Sequence, residues 1–122
     1  MTALIDTSVL IDGITPEIDE PWVVSAISVG ELEAGVLLAT DDATRAVRLR
    51  LLGAVLTEAP VVDVDRAVSA RYGELRTASG RRPTNDLWIA ATALAHDFTL
   101  ITCDQRQAAL PLVRVTLVSH GA

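Results

Sequence analysis

Four carboxylates stand where carboxylates can work together. Asp6 closes the apolar run 3–5, and Asp104 follows the apolar run 99–102. Glu31 lies three residues after Ser28, in the first turn of a helix-period segment, and Asp86 lies just after a basic turn at residues 80–84. Taken singly, Glu31 or Asp86 reads as a helix-terminal acid, worth ~0.3–1 kcal/mol against the macrodipole. Asp6 resists that reading. It stops an apolar strand, where an ion needs a partner, and no Arg precedes Arg45. Several carboxylates in one crevice repel one another, and their pKa values rise unless a cation is present. Oxygen-only ligands select a hard ion, Mg²⁺ with Mn²⁺ as a substitute, over Zn²⁺. Such an ion keeps several waters. One can serve as nucleophile while substrate phosphate binds the metal, which is phosphodiester hydrolysis. Thr7 and Thr102 flank the crevice with hydroxyls that can orient a water or a carboxylate.

The elements that must position these side chains follow from the hydropathy pattern. Strands are expected at residues 3–5, 22–25, 61–64, 99–102 and 113–118. Helices are expected at residues 9–14, 28–39, 43–56, 66–79, 85–96 and 105–110, with residues 15–21 as a loop. Thr7 or Ser8 caps the first helix. Ser28 with Glu31 forms a capping-box pattern for the second. Asp41 or Asp42, Asp65, and Thr84 or Asn85 cap the next three. The third helix carries Ala43, Val47, Leu51 and Ala54 at helical spacing, and the fourth Val68, Tyr72, Leu75 and Ser79. Strands alternating with helices, and strands that are near-continuous apolar runs, predict an α/β fold. Its core is a mainly parallel sheet of four to five strands flanked by helices. Functional groups of such sheets gather at the carboxyl ends of the strands, where Asp6 and Asp104 lie. With 122 residues, the chain reads as one domain, 1–122.

Composition removes several chemistries. All ten bases are Arg. Without Lys there is no Walker-type phosphate loop, kinase strand Lys or Schiff-base nucleophile. A response-regulator receiver would need a late Lys. An aspartate-nucleophile phosphatase would need an acid where Ser8 stands. The single Cys, Cys103, excludes an internal disulfide and reads as a buried inert thiol in a reducing compartment. The opening MTALIDTSVLI is broken at Asp6 and has no basic segment, so no signal peptide is expected. No apolar run approaches the ~20 residues of a spanning helix. A soluble cytoplasmic protein with no membrane contact is expected.

The segments LIDTSVLID, VVSAISVGELEAGVL and PTNDLWIAATALAHDFTLITCD, with the lengths between them, resemble PIN-domain proteins. More narrowly, they resemble the ribonuclease toxins of VapC-type toxin–antitoxin pairs. The likeness spans essentially the whole chain. It implies a PIN-like fold and a Mg²⁺-dependent endoribonuclease silenced by a cognate antitoxin. Its metal-binding acids fall on Asp6, Glu31, Asp86 and Asp104. The alternative is a catalytically silent PIN-like domain that only binds a partner. One departure stands out. Many relatives carry a Phe shortly after the fourth acid, where this chain reads DQRQAAL.

The net charge of −6 argues at first against nucleic acid. The distribution changes that. Residues 1–40 hold seven acids and no base, whereas residues 41–82 hold eight Arg and six acids. With four acids given to metal, twelve remain against ten Arg. Arg81 and Arg82 lead directly into Asp86 and are expected to hold RNA phosphate near the metal, or to form a solvated loop. Arg45 and Arg48 read as a solvated face of the third helix. Surplus apolar surface on the second, third and fifth helices suggests partner contacts. By resemblance these are a homodimer and a groove for an antitoxin helix, within a toxin–antitoxin hetero-oligomer. Trp22 reads as core, and Trp88 as core or interface.

Overall fold

The computed structural model describes residues 1–11 and 18–119. Five strands form one sheet: β1 (Ala3–Ile5), β2 (Trp22–Ser25), β3 (Val61–Val62), β4 (Thr99–Thr102) and β5 (Val115–Leu117). Their order is β3-β2-β1-β4-β5, and every neighbouring pair is parallel. Parallel neighbours require crossovers, and helices supply them. These are α1 (Thr7–Ile11), α2 (Ala26–Leu38), α3 (Asp42–Glu58), α4 (Arg66–Ser79), α5 (Thr84–His96) and α6 (Gln105–Ala108). The sequence places the three strands β1, β2 and β4 to the residue. The expected spans 61–64 and 113–118 shorten to β3 and β5, which are the sheet edges. The expected extension of the first helix past Ile11, to residue 14, lies outside the described residues, as does the start of the 15–21 loop.

Strand side chains alternate between two cores. Ala3, Ile5, Val24 and Ile101 face one, with Leu32 and Val36 of α2 and Leu52 and Val55 of α3. Leu4, Val23 and Leu100 face the other, with Val68 and Leu75 of α4 and Leu87, Ile89, Ala90, Ala91 and Ala93 of α5. Both faces are covered, which is why the strands read as continuous apolar runs. Trp22 packs against the first core. Trp88 stacks on Tyr72 with ring centroids 4.0 Å apart, which fixes α5 on α4.

Two local expectations are corrected. The N-cap of α2 is Ser25, whose Oγ accepts from Ile27 N at 3.0 Å, not Ser28. The chain passes from β2 into α2 without a loop, so Ser28 falls inside the helix and is fully buried. On α3 the buried positions are Leu52 and Val55, while Val47 is 58% exposed. The apolar stripe is thus out of phase with the one expected. Arg45 and Arg48 are exposed, as expected of a solvated face, and their guanidinium groups also reach back to α2. Arg45 Nη2 donates to the Ala39 carbonyl at 2.7 Å, and Arg48 Nη1 to the Gly35 carbonyl at 2.8 Å. Both satisfy carbonyls at the end of α2, where cations also suit the helix dipole.

The chain winds outward from β1 through β2 to β3, then returns to place β4 and β5 on the other side of β1. The reversal falls between β1 and β4. In an open parallel sheet, that is where a crevice opens at the strands' carboxyl ends.

Candidate functional site

Asp6 follows β1 directly and is 4% exposed. Among the described residues, no ion pair involves it. Its Oδ2 accepts from Ser8 Oγ at 2.7 Å and from Thr102 Oγ1 at 2.8 Å. Ser8 Oγ in turn accepts the Cys103 N–H at 3.0 Å, and Thr102 Oγ1 accepts the Asp104 N–H at 3.0 Å. Two hydroxyls thus lace the end of β1 to the end of β4. Asp104 caps α6, with Oδ1 accepting the Arg106 N–H at 2.9 Å. Cys103, between them, is half-buried and packs against the first core.

Glu31 reaches the same end of the sheet from α2. Its Oε1 accepts from Thr7 Oγ1 at 2.7 Å, and Thr7 Oγ1 is also hydrogen-bonded with Ser28 Oγ at 2.9 Å. Ser28 therefore serves the site rather than the helix end. Asp86 comes from the first turn of α5. That helix has Pro83 at its N-cap and no side-chain cap bond, so neither Thr84 nor Asn85 takes the expected role. Burial first, then the charges of Asp6, Asp104 and Glu31, push the Asp86 carboxyl from 3.8 up to about 6, with Arg106 opposing. The four acids therefore share one electrostatic environment, although they come from four parts of the chain.

Among the described residues, no three His, Cys, Asp or Glu side chains stand ready-made as a metal-holding group. The donor set nevertheless suits Mg²⁺. Every donor is a hard oxygen, and Mg²⁺ needs only one or two carboxylates because it retains waters. The repulsion at Asp86, only partly offset by Arg106, is what a divalent cation would relieve.

Arg81 and Arg82 line a cavity of about 310 Å³ together with Asp86, Arg106 and Gln107. The turn that carries them begins at Gly80, where φ is +69° and a Cβ would be strained.

A PIN domain family model matches residues 3–112. The chain belongs to the PIN-domain family. This PIN domain is 39% identical over 127 residues to Ribonuclease VapC4 of Mycobacterium tuberculosis, an alignment covering 95% of this chain and 96% of the relative. Among solved structures it is similar to VapBC-5 of Mycobacterium tuberculosis, a member of the VapBC family of toxin–antitoxin systems. The TM-score is 0.83 at 34% identity, over 96% of this chain and 98% of that one. FitAcB from Neisseria gonorrhoeae matches with a TM-score of 0.77 at 27% identity, over 94% and 96% of the two chains.

Sequence reasoning missed three participants in this PIN domain's site. Ser8 reads as a helix cap but holds Asp6. Arg106 gives no signal beyond its charge, yet it opposes the raised pKa of Asp86. Gln107 gives no signal except its place in the segment where Phe is missing. It is 2% exposed, and its Nε2 donates to the Asp86 carbonyl at 2.8 Å. A polar side chain buried in an apolar surround needs such a partner.

Proposed function

We propose that this PIN domain, taken as the whole chain 1–122, is a divalent-metal-dependent endoribonuclease. It is the toxin of a VapC-type toxin–antitoxin pair and hydrolyses RNA phosphodiesters in the cytoplasm. The observation that carries the reading is that Asp6, Asp104 and Glu31 all bear on Asp86, whose carboxyl stays raised even with Arg106 opposing them. Relatives named as ribonucleases, at 39% and 38% identity, support it. Among the described residues, no helix is long and apolar enough to cross a membrane.

Asp6, Glu31, Asp86 and Asp104 would hold Mg²⁺, with Mn²⁺ as a substitute. When bound, the ion polarises the scissile phosphate and lowers the pKa of a water. The chain's own residues set the stage. Ser8 and Thr102 both bond Oδ2 of Asp6, which leaves Oδ1 outside those bonds. Thr7 fixes the Glu31 carboxylate. Arg81 and Arg82 offset the negative charge of the substrate backbone beside Asp86.

A cognate antitoxin silences the toxin, and the assembled unit is a toxin homodimer within a toxin–antitoxin hetero-oligomer. Leu37 and Leu38 of α2 stay 80% and 75% exposed, and Val47 and Leu49 of α3 are also open. These apolar surfaces suit protein contacts.

The second reading is a silent partner-binding domain, which the exposed apolar side chains of α2 and α3 would also suit. Asp6→Asn and Asp86→Asn separate the two. The ribonuclease reading expects wild-type protein to cut RNA with Mg²⁺ and to arrest growth, and each variant to lose both while remaining folded. Undiminished toxicity in either variant would overturn it.

A further inference from the structure

We infer that the cavity beside Asp86 is a subsite for the RNA phosphate next to the scissile one, an inference that rests on the ribonuclease reading. The cavity, of about 310 Å³, is lined by Arg81, Arg82 and Arg106, with Asp86 and Gln107. That volume lies at the small end of ligand sites. Three arginines and one acidic residue line it, in a chain whose net charge is −6.

The three arginines are not equivalent. Arg82 is half-buried and its Nη1 donates to the Arg106 carbonyl, which ties the basic turn before α5 to α6. Arg106 is the more available cation. Its side chain is 79% exposed, and its Nε lies 3.7 Å from Asp104 Oδ1, too far for a close bidentate pair. Arg81 is exposed on the same turn. Gly80 with its positive φ and Pro83 with its ring-restricted φ bracket the turn and limit its conformations. An anion entering the cavity therefore meets guanidinium forks held by two separate elements, and such forks match phosphate geometry.

The cavity shares only Asp86 with the four acids. A phosphate under attack must lie among those acids, so a phosphate among the arginines belongs to a neighbouring nucleotide. The enzyme thus reads at least two successive phosphates, one at the acids and one at the arginines. It favours substrates that carry a phosphate flanking the cut bond.

Three substrates test this with Mg²⁺: a dinucleoside monophosphate, the same molecule with a 5′-terminal phosphate, and the same with a 3′-terminal phosphate. One terminal phosphate is expected to raise kcat/KM by about tenfold or more, the scale of a charge-assisted contact. Which end does so gives the strand polarity. Arg106→Ala and Arg82→Ala should collapse that ratio toward one, and Arg106→Lys should restore part of it. A second measurement needs no turnover. Binding of a fluorescein-labelled RNA oligomer in EDTA, followed by anisotropy across salt concentrations, should show a log–log slope shallower by about 0.7 in Arg106→Ala. Equal kcat/KM for all three substrates would overturn the subsite while leaving the ribonuclease intact, as would an unchanged salt slope. If no dinucleotide is cut, cleavage of full-length RNA decides the ribonuclease reading, and the salt slope alone decides whether the arginines bind phosphate.

Discussion

Thr102 Oγ1 donates to Asp6 Oδ2 at 2.8 Å from the adjacent strand, although 96 positions separate the two residues. The same oxygen accepts the Asp104 N–H. One hydroxyl therefore sets the distance between the first and fourth acids. Both strands are buried where this happens, so the geometry is insulated from solvent competition.

Thr102→Val keeps the shape of the side chain and removes that hydroxyl. It strips one of the two hydrogen bonds from a nearly buried carboxylate and leaves the Asp104 N–H without its acceptor. The expected cost is about 1–3 kcal/mol in urea denaturation. Cleavage should fall further than stability alone explains, because Asp6 and Asp104 lose their common tether. A variant with wild-type stability and wild-type turnover would show that the hydroxyl positions nothing.

Gln107 and Asp86 are coupled in a similar way through the main chain. Gln107→Leu retains the buried volume and deletes the donor to the Asp86 carbonyl. Stability should drop by about 1–3 kcal/mol. Mn²⁺ affinity, measured by calorimetry, should weaken with it, since α5 is no longer pinned to α6. Unchanged Mn²⁺ affinity in a destabilised variant would limit Gln107 to packing.

The pH behaviour follows from Asp86. Its carboxyl is raised from 3.8 to about 6 in the fold. An acid raised on folding binds its proton more tightly in the folded state. Stability of the metal-free protein therefore falls as pH climbs from about 4 through about 6, and stays lower above that. In EDTA, thermal unfolding should show this decline for wild type. Asp86→Asn should flatten it and raise Tm near neutral pH. Saturating Mg²⁺ should also flatten it, because the cation replaces the proton. A flat profile for metal-free wild type would contradict the arrangement.

Much of the positioning frame is local and could be read directly. Apolar runs ending in Asp6 and in Thr102 with Asp104 mark strand ends, and Asp41 and Asp65 cap the helices they precede. Such signals depend on a few neighbouring residues and on backbone periodicity. Asp6, Glu31, Asp86 and Asp104 stand as a proposed set, drawn from a strand-end argument joined to a family resemblance. Where local rules compete, they misled. Ser25 and Ser28 both offer capping hydroxyls, and only the direct passage from β2 into α2 selects Ser25. Val47 and Leu52 both suit a buried stripe on α3, and only the packing of that helix against α1 and α2 chooses between them.

Contacts between distant segments lay beyond any such reading. Ser8 and Thr102 meet on Asp6, Gln107 holds the Asp86 carbonyl, and Arg82 reaches the Arg106 carbonyl. The acidic total is the clearest case. Residue types and spacing establish a −6 chain with a cluster of Arg before Asp86. Folding alone brings Asp6, Glu31 and Asp104 near enough to Asp86 to bear on its charge, and sets Arg81, Arg82 and Arg106 around the cavity beside it. Composition adds charges without regard to place. Electrostatic energy depends on the separations and burial that tertiary packing imposes.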